Sequence, residues 1–131
     1  MRYHVFSGMR APRIPTRGLG DLFYGWSPNR HYLAAENERG EIVGFVQIAP
    51  ETSRLPGALA LTLIEVARDH RGQGVAHELV RRLFKMARRI GKPVFVSDYC
   101  PDGERYLKPF LKPLGAQMQV KVVEFQDVAI A

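Results

Sequence analysis

The clearest periodic stretch early in the chain is a pair of apolar segments, "HYLAAE" (His31–Glu36) and "EIVGFVQIAP" (41–50), separated by the turn residues "NERG". Two such segments across a short turn containing glycine predict a β-hairpin. "LALTLIEV" (Leu59–Val66) is a continuous apolar run bounded by loops, and its length suits a strand buried on both faces. The pattern then changes. Val75, Leu79, Leu83 and Ala87 recur every four residues, as do Ala76, Val80 and Phe84, and together they form one wide apolar stripe. Arg81, Arg82, Lys85, Arg88 and Arg89 fall mostly outside that stripe. Gly91 and Pro93 then stop the period, so the spacing predicts a helix of about 16 residues, roughly 24 Å long.

On either side the signals are weaker. Arg2–Phe6 reads as a short strand. Ser7–Arg30, rich in Gly, Pro and Arg, reads as loop with one helical turn near Asp21–Tyr24. After the long helix, "PVFVSDY" (93–99) predicts another buried strand. "DGERYLKPFLKPLG" (102–115) predicts a short helix weakened by Pro109 and Pro113. "AQMQVKVVEF" (116–125) predicts a terminal β-segment. No repeat or low-complexity tract interrupts this order. It implies a mixed α/β (α+β) domain around a β-α-β crossover from Leu59 to Tyr99.

Length and composition narrow the classes. The chain has 131 residues, enough for one domain over 1–131. Its longest apolar runs are too short to span a bilayer, and the first ten residues lack a signal-peptide shape. Cys100 is the single cysteine, so internal disulfides and metal clusters built on paired cysteines are excluded. These features predict a soluble cytoplasmic protein that does not engage membranes. The formal net charge of +6 favours anionic partners.

The segment "HRGQGVAHELVRRLFK" (70–85) gives that charge a purpose. A helix start leaves backbone N–H groups without partners, and the peptide dipoles concentrate partial positive charge there. A phosphate fits such a place. Glycine lets it approach the amides and permits left-handed backbone angles. Arg68 and Arg71 add full charges beside Gly72 and Gly74. The Rossmann fingerprint G-x-G-x-x-G fails because His77 stands at the third glycine and no second βαβ unit follows. The phosphate-loop pattern G-x-x-x-x-G-K-[ST] fails at "GDLFYGWS" (20–27), where Trp26 replaces the lysine.

Arg71-Gly72-Gln73-Gly74-Val75-Ala76 matches R/Q-x-x-G-x-G/A without mismatch. On this motif, between a strand and a long helix, the chain resembles the GNAT superfamily of N-acetyltransferases. "LIEVARDHRGQG" (63–74) is similar to the family's L-x-V-x-P-x-Y-R-G-x-G, with Arg68 for the proline and His70 for the tyrosine. "NERGEIVGFVQIA" (37–49) is similar to its second and third strands, and the resemblance covers about residues 32–116. It implies the GNAT acyl-CoA N-acyltransferase fold, with a central mostly antiparallel sheet whose strands splay, flanking helices and, here, a shortened N-terminal helical region.

The resemblance also implies a chemistry. The strands at 59–66 and 93–99 would part to admit the pantetheine arm of acetyl-CoA. Ile64 and Val66 would offer backbone groups to it. Arg71, Gly72, Gln73, Gly74, Val75 and Ala76 would hold the pyrophosphate. A neutral amine would attack the thioester directly, with a backbone N–H near Val66 stabilising the oxyanion. Glu65, on the same strand, is the candidate base; its rival role is an ion pair with a nearby arginine. The family's usual tyrosine acid falls at Leu111, with Glu104 and Leu107 where asparagine and alanine are usual. Tyr106 and Tyr99 are the candidates to replace it, or else pack with their hydroxyls at an edge.

Other residues divide similarly. Cys100 is either a nucleophile or a small buried hydrophobe. His4, His31, His70 and His77 show no metal spacing, and no metal is implied. The aromatics of "LFYGW" (22–26) either line the acceptor pocket or pack in a core or loop. Ser7–Arg30 is too short for the two helices that usually wall the acceptor site, so a large acceptor or a second subunit would complete it. The expected partners are acetyl-CoA and an amine acceptor, either a small molecule or a protein. Polycationic acceptors fit the excess positive charge poorly. Dimers are common in the family, and nucleic-acid binding rests on net charge alone. The alternative function is a catalytically weak acyl-CoA-binding regulatory module of the same fold.

Overall fold

Apolar alternation across a tight turn builds the hairpin as expected. The computed structural model describes residues 1–19, 23, 25–49, 55–96, 99, 105–124 and 127. Strand β1 (Arg2–Ser7) pairs antiparallel with β2 (His31–Glu36), and β2 pairs antiparallel with β3 (Ile42–Ala49). Asn37 closes the β2–β3 turn, because its Oδ1 accepts from the Arg39 and Glu41 amides, both at 3.0 Å. The register slips between Ala35 and Glu36, a bulge at the turn end of the hairpin.

Strand β4 (Leu59–Val66) leads through a 3-10 turn (Arg68–His70) into helix α1 (Val75–Ile90), whose 16 residues match the expected length. β5 (Val94–Val96), α2 (Lys108–Met118) and β6 (Val122–Glu124) follow. β5 runs parallel to β4 over Leu59–Leu61, and β6 parallel to β5. Sheet order is the chain order, β1 to β6. The fold is therefore the mixed α+β arrangement expected, with an antiparallel half and a parallel half. Among the described residues no helix is long and apolar enough to cross a membrane.

The residues gather into two compact units, Met1–Ile48 with Leu63–Leu79, and Ala49–Thr62 with Val80–Ala131. In the first, Tyr32, Ala34, Ile42 and Phe45 form an apolar cluster on one face of the sheet. On its other side β3 lies close to α1: a Cβ on Gly44 would meet Val75 Cγ1 at 3.2 Å and Leu79 Cδ1 at 3.4 Å. In the second unit Ala58, Ala60, Phe95 and Val123 pack together.

Three expectations need correction. β4 is not buried throughout: both ends are buried, but Thr62 is exposed and Leu63 and Ile64 are half-buried. The ladder to β5 covers only Leu59–Leu61, so the strand's middle lies past that pairing. The second correction lies at α2, which starts later than expected and includes Ala116–Met118, read above as strand. Pro109 falls in its first turn, where no N–H is needed, and Pro113 removes one ladder bond without ending the helix. Gly115 is a contact glycine rather than a stop: a Cβ there would meet Val120 O at 2.7 Å and Val122 Cγ2 at 2.5 Å. Gln119, left-handed at φ 61°, ends the helix, and Val120 N–H closes back on Gly115 O at 2.8 Å. Third, the 3-10 turns at Gly8–Arg10 and Arg68–His70 carried no sequence signal. The helical turn expected near Asp21–Tyr24 and the end of the strand expected at 93–99 lie largely outside the described residues.

Candidate active site

The β4–α1 connection is held on both sides. Ala67 N–H donates to Val43 O at 2.7 Å, tying the strand's exit to β3. His70 N–H donates to Ala67 O at 2.9 Å, and Arg71 N–H to Arg68 O at 3.3 Å, which forms the 3-10 turn. Arg71 then reaches back, its Nε–H donating to Val66 O at 2.9 Å. The guanidinium thus ties the loop to the strand end and holds a fixed positive charge there.

Gly72 and Gly74 have φ of 75° and 80°, in the left-handed region that glycine alone enters at little cost. A Cβ on either would meet nothing within 4 Å. The glycines are therefore required by backbone angle, and the space over them is open. Residues 71–74 are exposed, and α1 begins at Val75. Its first turn bonds Glu78 N–H to Gly74 O at 3.0 Å, so the amides of Val75 and Ala76 precede the helical ladder. Gln73 Nε2 donates to Asp69 O at 3.3 Å. His70 Nδ1 lies 2.9 Å from Asp69 Oδ1, and this hydrogen bond, with the His70 charge, holds the Asp69 carboxyl below its usual range.

The backbone of β4 has a direction. Successive N–H groups of an extended strand point to opposite sides. Since Ala67 N–H faces β3, the N–H groups of Ile64 and Val66 face away from it. Side chains alternate likewise, so Leu63 and Glu65 share a face. Leu63 packs against the Tyr32–Phe45 cluster, and Glu65 is buried.

On that face lies a cavity of ≈ 430 Å³. Its walls include Phe23, Trp26, Tyr32, Phe45, Gln47 and Leu63. Trp26 meets Phe23 edge-on at 4.7 Å and Tyr32 at 4.8 Å. Tyr32 is wholly buried; its hydroxyl oxygen accepts from Ser27 N–H at 2.8 Å and from Gln47 Nε2 at 2.9 Å. Phe23 and Trp26 thus pack on the core and also line this cavity; Leu22 and Tyr24 lie outside the described residues. Sequence reasoning missed Tyr32, Gln47 and Leu63. The signal for Gln47 was there: one carboxamide in the otherwise apolar strand "IVGFVQIA".

The remaining candidates are scattered. Tyr106 is 64% exposed, with the Arg105 guanidinium over its ring at 5.1 Å. Tyr99 is half-buried. Burial, then the charges of Glu124 and Asp127, push its hydroxyl well above the ordinary value near 10. Leu111 is fully buried. His4 pairs with Glu36, and His31 and His77 are exposed. Cys100 and Glu104 lie outside the described residues.

Comparison with known proteins now decides the family. Residues 5–115 match the model of the acetyltransferase (GNAT) family. The chain belongs to the GNAT acetyltransferase family. Among solved structures, this GNAT chain is similar to a ribosomal-protein-alanine N-acetyltransferase from Brucella melitensis biovar Abortus 2308, at 26% identity and a TM-score of 0.53. That match covers 63% of this chain and 62% of the other, so the chain spans less than two thirds of that protein's length. It shares its fold with nourseothricin acetyltransferase (22% identity, TM-score 0.50, 72% of this chain and 71% of that one). It also shares it with a transcriptional regulator from Bacillus halodurans C-125 (23% identity, TM-score 0.52, 68% and 60%). No curated protein matches the chain by sequence.

Proposed function

We propose that this GNAT chain transfers an acetyl group from acetyl-CoA to a primary amine by direct attack on the thioester. One observation carries the reading. The two left-handed glycines leave open space over the start of α1, beside the charge of Arg71. Open space at a helix start whose first amides stand outside the helical ladder suits a diphosphate. Gly72 to Ala76 would hold the pyrophosphate through their amides. Ile64 and Val66, whose backbone groups face away from β3, would pair with the pantetheine arm along the open middle of β4.

The Val66 N–H is the oxyanion donor, because the neighbouring Ala67 amide is committed to Val43 O. Glu65 takes the proton from the ammonium form of the acceptor, directly or through one water. The amine lone pair then forms the C–N bond. As the intermediate collapses the C–S bond breaks, the nitrogen gives up its second proton to solvent water, and the thiolate leaves with the electron pair and is protonated. Tyr106 is the candidate donor for that last proton. Tyr99 holds its proton too strongly to match a thiolate at neutral pH. A second reading, coenzyme binding without turnover, draws support from Leu111, whose buried place leaves no hydroxyl at the family's usual acid position.

Acetyl-CoA should raise the melting temperature of the protein, since a ligand of the folded state alone stabilises it. In Gly74→Glu that shift should vanish. The substitution itself should lower stability by about 1–2 kcal/mol, through left-handed strain. An undiminished shift in this variant would end the loop assignment. Thiol release with an amine panel separates the two readings: a thermal shift with no release for any amine leaves only the binding module.

A further inference from the structure

The acceptor's chemical class can be read from the cavity that Leu63 of β4 lines. We infer that the cavity of Phe23, Trp26, Tyr32, Phe45, Gln47 and Leu63 selects a monoamine with a flat aromatic body, an arylalkylamine, as the acetyl acceptor. The inference rests on the acetyltransferase reading above.

The walls decide the body of the substrate. Four of the nine lining residues are aromatic, and of these Phe23 and Trp26, which meet edge-on and are half-buried, keep ring surface for another ring to pack on. Among the described residues lining the cavity none is charged. None of these described residues is a carboxylate that would hold the second ammonium of a polyamine or aminoglycoside, and none is an arginine or lysine that would hold the carboxylate of an amino acid. Gln47 and Ser27, both bonded to the buried Tyr32 hydroxyl, supply one polar edge on a wall that is mostly apolar. The volume of ≈ 430 Å³ accommodates a one- or two-ring amine.

The strand decides where the amine sits. Leu63 lines the cavity, and Glu65 follows it by two residues on the same face, about 7 Å further along. A ring against Leu63 and Trp26 with a short alkyl spacer would bring its nitrogen to the Glu65 carboxylate. A shorter or unbranched aliphatic amine would reach the base but leave the aromatic walls wet, losing that apolar burial.

The chain's one tryptophan is Trp26, so the cavity carries its own reporter. With the wild-type protein, 2-phenylethylamine should quench tryptophan fluorescence saturably, while ethylamine and spermidine should not. In thiol release with saturating acetyl-CoA, kcat/KM for 2-phenylethylamine should exceed those for ethylamine and spermidine by at least about tenfold. Leu63→Lys should erase the preference without removing the thermal shift with acetyl-CoA. Absence of quenching, or spermidine preferred while acetyl-CoA still stabilises the protein, overturns the pocket assignment and leaves the acetyltransferase reading standing. Saturable quenching without acetylation of any amine upholds the pocket as an arylalkylamine site and overturns transfer. Absence of stabilisation by acetyl-CoA removes both.

Discussion

At the residue scale two side chains have a direct readout, one for the proposed chemistry and one for stability. Glu65 is buried on the strand that would bear the thioester. Glu65→Gln keeps its shape and removes its basicity. It should lower kcat about 10²–10⁴-fold at neutral pH, with the acetyl-CoA thermal shift unchanged. A kcat within a factor of a few of wild type would leave deprotonation to water. Tyr99 tests the other unit. Its hydroxyl is raised above the ordinary value near 10 by burial first, then by Glu124 and Asp127. For such a group the stability it contributes is fully present below pH 10 or so. It is lost as pH rises further, because the unfolded chain ionises before the folded one. Thermal midpoints of the wild type should therefore fall more steeply above about pH 10 than those of Tyr99→Phe. Parallel curves would show that Tyr99 is not held in its neutral form.

At the scale of elements, helix α2 shows what the sequence pattern could and could not convey. The hairpin, β4 and α1 were legible because apolar spacing and turn residues agree there. The glycine turn before α1 was legible because the same residue type, glycine, satisfies both the φ of 75° and 80° and the open space found there. At α2 the local signals mislead. Two prolines and a glycine read as breakers, but Pro109 lies in the first turn and Gly115 sits against Val120 and Val122. Tertiary contact, invisible in a window of sequence, sets that helix's length. Gly115→Ala should thus destabilise the protein by about 1–3 kcal/mol through overpacking against a backbone carbonyl, measured by urea unfolding, although alanine is ordinarily the better helix former. The cavity proposed for the acceptor was only half legible for the same reason. Its aromatics from 22–26 and its strand residues Tyr32, Gln47 and Leu63 are far apart in the chain, and only the fold brings them onto one face.

At the scale of the whole molecule the charge of +6 acts differently on the two substrates. Acetyl-CoA carries several phosphate charges, and the loop that would hold it lies between Arg68 and the basic residues of α1, of which Arg82, Lys85, Arg88 and Arg89 are exposed. A field of this sign raises the local concentration of an anion and speeds its capture. Salt of about 0.5 M shortens the reach of that field to a few ångströms. The KM for acetyl-CoA should then rise several-fold between low and high salt. Binding of 2-phenylethylamine, whose ring would be held by uncharged walls and whose nitrogen would meet the buried and therefore little-screened Glu65, should change little. The two dependences are measurable on one preparation, by thiol release for the first and Trp26 fluorescence for the second. If both constants weakened together with salt, the amine would be held by charge. The cavity of Phe23, Trp26 and Leu63 would then not be its binding place. If neither moved, the basic face of α1 would have no part in drawing the coenzyme to the loop.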